Sequence, residues 1–239
     1  MTADAQRRSS AARVATSRNR AGVQTRALLL REAERLFAER GVDSVSLRDI
    51  TDAAGANTAA VHYYFGSKRE LVVALVDQRA SELGRRREAH LKGLEAEAAP
   101  DIRSLAAALV RPTAELVGES SGGRHYVRFI KRVALLPEYA PLLEEAYDPH
   151  TRRYLELLAR VTPALDDEVR LLRFAAAKEL VNQLLGEAEA SISRWVDTRG
   201  QWDRESVVEA LIDMVVGLFT APSMRLATSD PNSKPEDGR

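Results

Sequence analysis

Apolar residues recur along most of the chain at spacings of three and four, the period of a helix with one buried face. From Thr25 the positions Leu29, Ala33, Leu36 and Phe37 predict a first helix, which Gly41 ends. Ser46 then opens a short helix carrying Leu47, Ile50 and Ala54, and the spacing Ser46-x-x-Asp49 fits a capping box. Gly55-Ala56-Asn57 predicts a tight turn, after which Thr58 is expected to cap a further short helix through Phe65, with Val61 and Phe65 turned inward. Gly66 breaks that helix. Ser67-x-x-Glu70 starts a longer one, expected to run to about Leu91.

Beyond Pro100 the pattern stays helical and its elements lengthen. Helices are predicted over 102–117, 124–136, 141–161 (irregular near Pro149), 166–196 and 203–220. Residues 119–123, Glu-Ser-Ser-Gly-Gly, predict a flexible loop. Residues 1–20 lack apolar periodicity, and 222–239 hold three prolines among polar groups; both predict disorder. No alternating run argues for a strand, so the fold class is all-α.

Composition agrees: the chain is 45% hydrophobic and 29% charged, but only 5% aromatic, and rich in helix formers. It contains no cysteine, which excludes disulfides and thiolate metal sites. The polar, basic start carries no signal sequence, and the apolar stretch 211–221 is too short to span a bilayer. A cytoplasmic protein with no membrane partner is expected. Net charge is zero, yet residues 1–31 carry seven arginines against Asp4 alone. That asymmetry suits a basic arm that meets phosphate, or a solvated tail.

Three short helices with a glycine-centred turn between the second and third suit a helix-turn-helix. Ile50, Ala54, Val61 and Phe65 form its inside, which leaves Arg48, Thr58, Ala59, His62 and Tyr63 for DNA. The small Ala59 and Ala60 let the helix approach base edges, where a methyl can meet thymine. Residues 25–76 resemble the DNA-binding region of the TetR (tetracycline-repressor) family. The matches are Leu-Phe-Ala-Glu-Arg-Gly ending helix 1, Ser-Leu-Arg-Asp-Ile in helix 2, Ala-Gly in the turn, and Tyr-Tyr-Phe-Gly-Ser-Lys closing helix 3.

That resemblance implies an organisation. A basic arm at 1–20 precedes a DNA-binding domain at 21–66; a helical effector-binding and dimerisation domain at 67–221 and a tail at 222–239 follow. It implies that Ser46 meets a phosphate, Arg48 enters the major groove, and Thr58, Ala59 and Ala60 face bases. His62 and Tyr63 would touch phosphates and Lys68 would anchor the backbone. His62 departs from the tyrosine most often found there.

An effector pocket among the middle helices would draw on His125, Arg128, Phe129, Tyr147 and Tyr154. A four-helix dimer interface would use Leu184, Leu185, Ala188, Ile192, Leu211 and Val215, although an intramolecular core could bury the same apolar residues. The partners implied are a palindromic double-stranded operator, a second copy of the chain, and an unknown small-molecule effector that releases a repressor.

Other chemistry finds little support in the residues. His62, His90, His125 and His150 show no metal-ligand spacing, and there is no phosphate loop or nucleophile elbow. No metal or cofactor is expected. The basic, aromatic run 124–132 reads as one buried helix face with a charged exterior. An effector-independent DNA organiser and a helical enzyme are the alternatives; the first would share the head, and the second would need a convergent site that the sequence does not display.

Overall fold

Short polar residues start several helices by accepting backbone N–H groups that have no partner inside the helix. The computed structural model describes residues 3–97, 100–119, 121–192 and 203–222, with side chains over 21–97, 100–119, 122–186 and 203–222. Nine α-helices account for nearly all of them: α1 (Ala3–Arg40), α2 (Leu47–Ala54), α3 (Thr58–Phe65), α4 (Lys68–Glu95), α5 (Ile102–Glu119), α6 (Ser121–Ala134), α7 (Ala140–Val161), α8 (Asp167–Ile192) and α9 (Arg204–Thr220). A single 3-10 turn, Pro137–Tyr139, separates α6 from α7. There is no strand among the described residues.

The expected caps hold at Ser46 and Ser67, and Asp203 caps α9; each accepts a backbone N–H with its side chain. At Ser46 the box is complete, because the Asp49 carboxylate also accepts from the Ser46 N–H at 2.8 Å. At Ser67 it is not: the Glu70 carboxylate takes the Ser67 hydroxyl proton at 2.9 Å instead.

Three elements differ from the sequence reading. Helix α1 begins at Ala3, where disorder is predicted through residue 20; the segment has no proline or glycine to stop a helix. The cap of α3 is Asn57 rather than Thr58, with the Asn57 side-chain oxygen accepting from Ala59 N–H at 3.0 Å. The expected loop at 119–123 is mostly helix, since α5 runs to Glu119 and α6 starts at Ser121. Gly123 serves close approach there: a Cβ would collide with the Leu116 carbonyl oxygen and lie 2.6 Å from Val117 Cα. The end of the helix predicted over 166–196 and most of the tail at 222–239 lie outside the described residues.

Two apolar cores form. The head core joins Leu29, Phe37, Ile50, Val61 and Phe65 to Leu71, Val72, Leu75 and Val76 of α4, so it continues past residue 66. Helices α4, α5, α7, α8 and α9, with Tyr126 and Val127 of α6, build the body core. Helix α6 serves both, because Phe129 and Val133 on its other flank enter the head core. Phe129 is fully buried and stacks on Phe37 with ring centroids 6.0 Å apart. Arg132 of α6 donates to the carbonyls of Ala38 (2.8 Å) and Glu39 (3.1 Å), in the last turn of α1.

Leu211 and Val215 of α9, expected at a dimer interface, are fully buried inside this chain and offer no surface to a second copy. Leu184 is half-buried and Leu185 nearly covered. The side chains of Ala188 and Ile192 lie outside the described residues.

Candidate nucleic-acid interface

The turn between α2 and α3 is built from the backbone outward. Gly55 adopts a left-handed conformation (φ 62°, ψ 30°) and donates to the carbonyls of Asp52 and Thr51. A side chain there would be strained, so the position suits glycine. Asn57 restarts the chain as α3, while Ile50 and Val61, both fully buried, clamp the two helices together.

This leaves a polar outer face. Arg48 is 85% exposed and lies 3.7 Å from the Asp52 carboxylate, a weak surface pairing that leaves its fork free to turn. The Thr51 hydroxyl donates to the Arg48 carbonyl (3.0 Å), so in its 3.4 Å contact with Thr58 the Thr58 hydroxyl is the donor. Thr58 and Ala59 are exposed and Ala60 is half-buried.

Tyr63 is 82% exposed, held by an edge-to-face contact with Tyr64 at 4.9 Å. His62 is also exposed, and its Nδ1 lies 2.8 Å from the Gly66 carbonyl. A carbonyl only accepts, so Nδ1 carries the proton and the ring is held against the C-terminus of α3. Ser46 stands exposed at the start of α2, and Lys68 is half-buried in the first turn of α4.

Sequence reasoning missed two contributors. Asn57 was legible from the cap preference for asparagine, but the adjacent threonine competes for the role. Arg26, whose guanidinium sits 5.1 Å from the Phe65 ring centroid, could be read only as one more member of the basic run.

A second concavity lies between α4, α5, α6, α7 and α8, with a volume of about 570 Å³. Arg87, Tyr126, Ile130, Tyr147, Lys178 and Asn182 are among its walls. Of the five predicted pocket residues, Tyr147 lines it. Tyr154 borders an adjoining void of about 20 Å³ and donates to the Leu105 carbonyl at 3.0 Å. Phe129 belongs to the head core, and Arg128 donates to the Gly186 carbonyl at 3.1 Å. Burial lowers the pKa of His125, with the Glu39 carboxylate opposing. The described residues contain no cluster of side chains fit for a metal ion and no helix long and apolar enough to cross a membrane.

Two family models cover this arrangement. Residues 29–75 match the bacterial regulatory proteins of the tetR family, and residues 107–217 match the tetracyclin repressor-like C-terminal domain. The chain belongs to the TetR family. Among TetR relatives, the regulator TtgR of Pseudomonas putida is 44% identical over 54 residues, which cover 23% of this chain and 26% of TtgR. The chain thus spans about a quarter of that relative's length in the match.

The dual regulator CecR of Shigella flexneri is 29% identical over 172 residues, covering 69% of this chain and 75% of CecR. The crystal structure of the TetR regulator PfmR from Thermus thermophilus shares the fold, with TM-score 0.55, 24% identity, and coverage of 79% of this chain and 96% of PfmR. The agreement with TtgR is local and tight, that with PfmR long and loose. The TetR head is therefore closely kept, while the body keeps the architecture more than the residues.

Proposed function

We propose that this chain is a cytoplasmic transcriptional repressor that binds an inverted-repeat operator as a homodimer and is released by a small molecule. The observation that carries the reading is the outer face of α2 and α3, where Arg48, Thr58, Ala59 and Tyr63 stand exposed on two helices clamped by Ile50 and Val61. Arg48 is suited to guanine O6 and N7, and Ser46, His62, Tyr63 and Lys68 to flanking phosphates. A head covering its operator would exclude other proteins from the same DNA.

Dimerisation is supported by the face that α8 and α9 leave outward. Leu171 (52% exposed), Leu172 (59%) and Met214 (49%) are large apolar residues left about half exposed among the described residues. Ala175 and Ala176 extend the α8 stripe at helical spacing. Twofold pairing there would set the two recognition helices about 34–36 Å apart, one turn of DNA.

Release is supported by shared helices. Helix α4 sends Leu83 and Arg87 to the cavity and Leu71, Val72, Leu75 and Val76 into the head; α6 sends Tyr126 and Ile130 to the cavity and Phe129 and Val133 into the head. A ligand that fits the cavity better in one setting of these helices shifts the heads to that setting.

The test is selection of bound duplexes from a random-sequence pool with the full chain. An enriched inverted repeat with half-sites about one helical turn apart is expected. Recovery without any common sequence would overturn the operator reading.

A further inference from the structure

Arg87 lines both the interhelical cavity and the small void beside Tyr154 and Phe174. Its guanidinium lies 5.9 Å from the Tyr147 ring centroid. Two other arginines along this part of α4 hold carboxylates, Arg79 with Glu34 and Glu82 and Arg86 with Glu119, while Arg85 is exposed to solvent. Among the described residues Arg87 has none. Burial pulls its pKa down, and the groups that oppose this are the phenols of Tyr126, Tyr147 and Tyr154. The side chain is half-buried and lines the cavity with no carboxylate beside it, so an anion bound there gains a charge-assisted contact.

A second donor lies close by. The hydroxyls of Tyr126 and Tyr147 are 2.9 Å apart, so one donates to the other and the accepting phenol keeps a proton to offer. Burial raises the pKa of both, which keeps them neutral donors at pH 7. Around them Leu83, Val127, Ile130, Leu135 and Leu143 give the cavity apolar walls. Its volume falls in the range of about 300–1,000 Å³ usual for small organic ligands. Three carboxylates, Glu144, Asp148 and Glu179, also border it, and Asp148 is paired with Arg152. They disfavour an anion of high charge. Of the other cations on the wall, Lys131 already donates to Gln183 and Lys178 is exposed to solvent.

We propose that the cavity binds an organic monocarboxylate with an apolar body, its carboxylate held by the Arg87 guanidinium and by the free phenol proton of the Tyr126–Tyr147 pair. The inference rests on reading the cavity as the effector site. A guanidinium fork with one phenol satisfies both carboxylate oxygens, while the body replaces water along the aliphatic walls.

Calorimetric titration of the full chain with octanoate and 4-phenylbutanoate, each against its amide and its amine analogue, tests it. The carboxylates should bind about tenfold or more tighter than the amides, with the amines weakest. Arg87→Met should bring acid and amide within about twofold of each other, and Tyr147→Phe should weaken the acid severalfold. Because Arg87→Met removes a charge that has no carboxylate partner and keeps much of the aliphatic stem, its melting temperature should stay close to that of the wild type.

Equal binding of acid and amide by the wild type, no binding of either acid, or a wild-type affinity in Arg87→Met would each overturn the assignment. So would a melting temperature of Arg87→Met well below that of the wild type, which would make Arg87 structural. Duplex binding by the same ligand-free samples separates the two readings. Binding of the selected duplex without carboxylate preference sinks only the carboxylate inference, whereas loss of duplex binding in the wild type sinks the regulator reading.

Discussion

The ion pair between Glu34 and Arg79 ties α1 to α4 through two hydrogen bonds, of 2.7 and 2.6 Å, and Glu34 is 3% exposed. Burial raises the pKa of Glu34 in spite of Arg79, while its two glutamate partners raise that of Arg79 against the effect of burial. Removing one partner strands a charge. Arg79→Leu should cost about 3–5 kcal/mol of stability in urea denaturation, and Glu34→Leu with Arg79→Leu should recover most of it. Equal losses in the single and double variants would show that the cost is not that of a stranded Glu34 carboxylate.

The pair was not legible in the sequence, because 45 positions separate two residues with many possible partners. The exposed head residues were, since local spacing alone turns Arg48, Ala59 and Tyr63 away from Ile50 and Val61. The five pocket candidates were named from helix membership, and that does not fix which way a residue faces. Phe129 and Tyr126 are three apart on α6, yet they enter different cores.

For the elements, caps decide boundaries and also acid sensitivity. Asp49 is held below the usual aspartate pKa chiefly by the Ser46 hydroxyl, Asp101 by the Ser104 hydroxyl, and Asp203 by the Ser206 backbone N–H. A carboxylate with a lowered folded pKa stabilises the fold above its unfolded value, and that contribution is lost as pH falls through the folded value. Stability should therefore drop as pH falls below about 4, and Asp49→Asn with Asp203→Asn should flatten that drop in thermal melts from pH 6 to 3. An unchanged acid slope would mean that other carboxylates govern it.

Helix starts could be read because a cap is a local signal. The orientation of α9 could not. Its apolar residues cover more than half the circumference, so periodicity alone did not separate the face of Leu211 and Val215, which packs inward, from that of Ala210, Met214 and Gly217, which is left partly or fully exposed. The glycines near residue 120 misled for a related reason: a loop and a close helix contact both favour glycine, and only the tertiary neighbour of Gly123 tells them apart.

Across the whole molecule, two helices connect the cavity to the head, and the outward apolar stripe of α8 with Met214 of α9 offers a place for a second copy. Leu172→Glu should shift the chain toward monomer in sedimentation and lower its affinity for a two-half-site duplex, since each head then binds without its mate. A variant that stays dimeric would move the interface elsewhere. Beneath all of this lies the assignment of DNA reading to α2 and α3. The most direct measurement is duplex binding by Arg48→Ala and Lys68→Ala, compared across base substitutions and salt concentrations. Arg48→Ala should relax preference at one base pair by about 1–3 kcal/mol, and Lys68→Ala should weaken all sequences alike and flatten the salt dependence. If both variants bind like the wild type, the head does not meet DNA through this face.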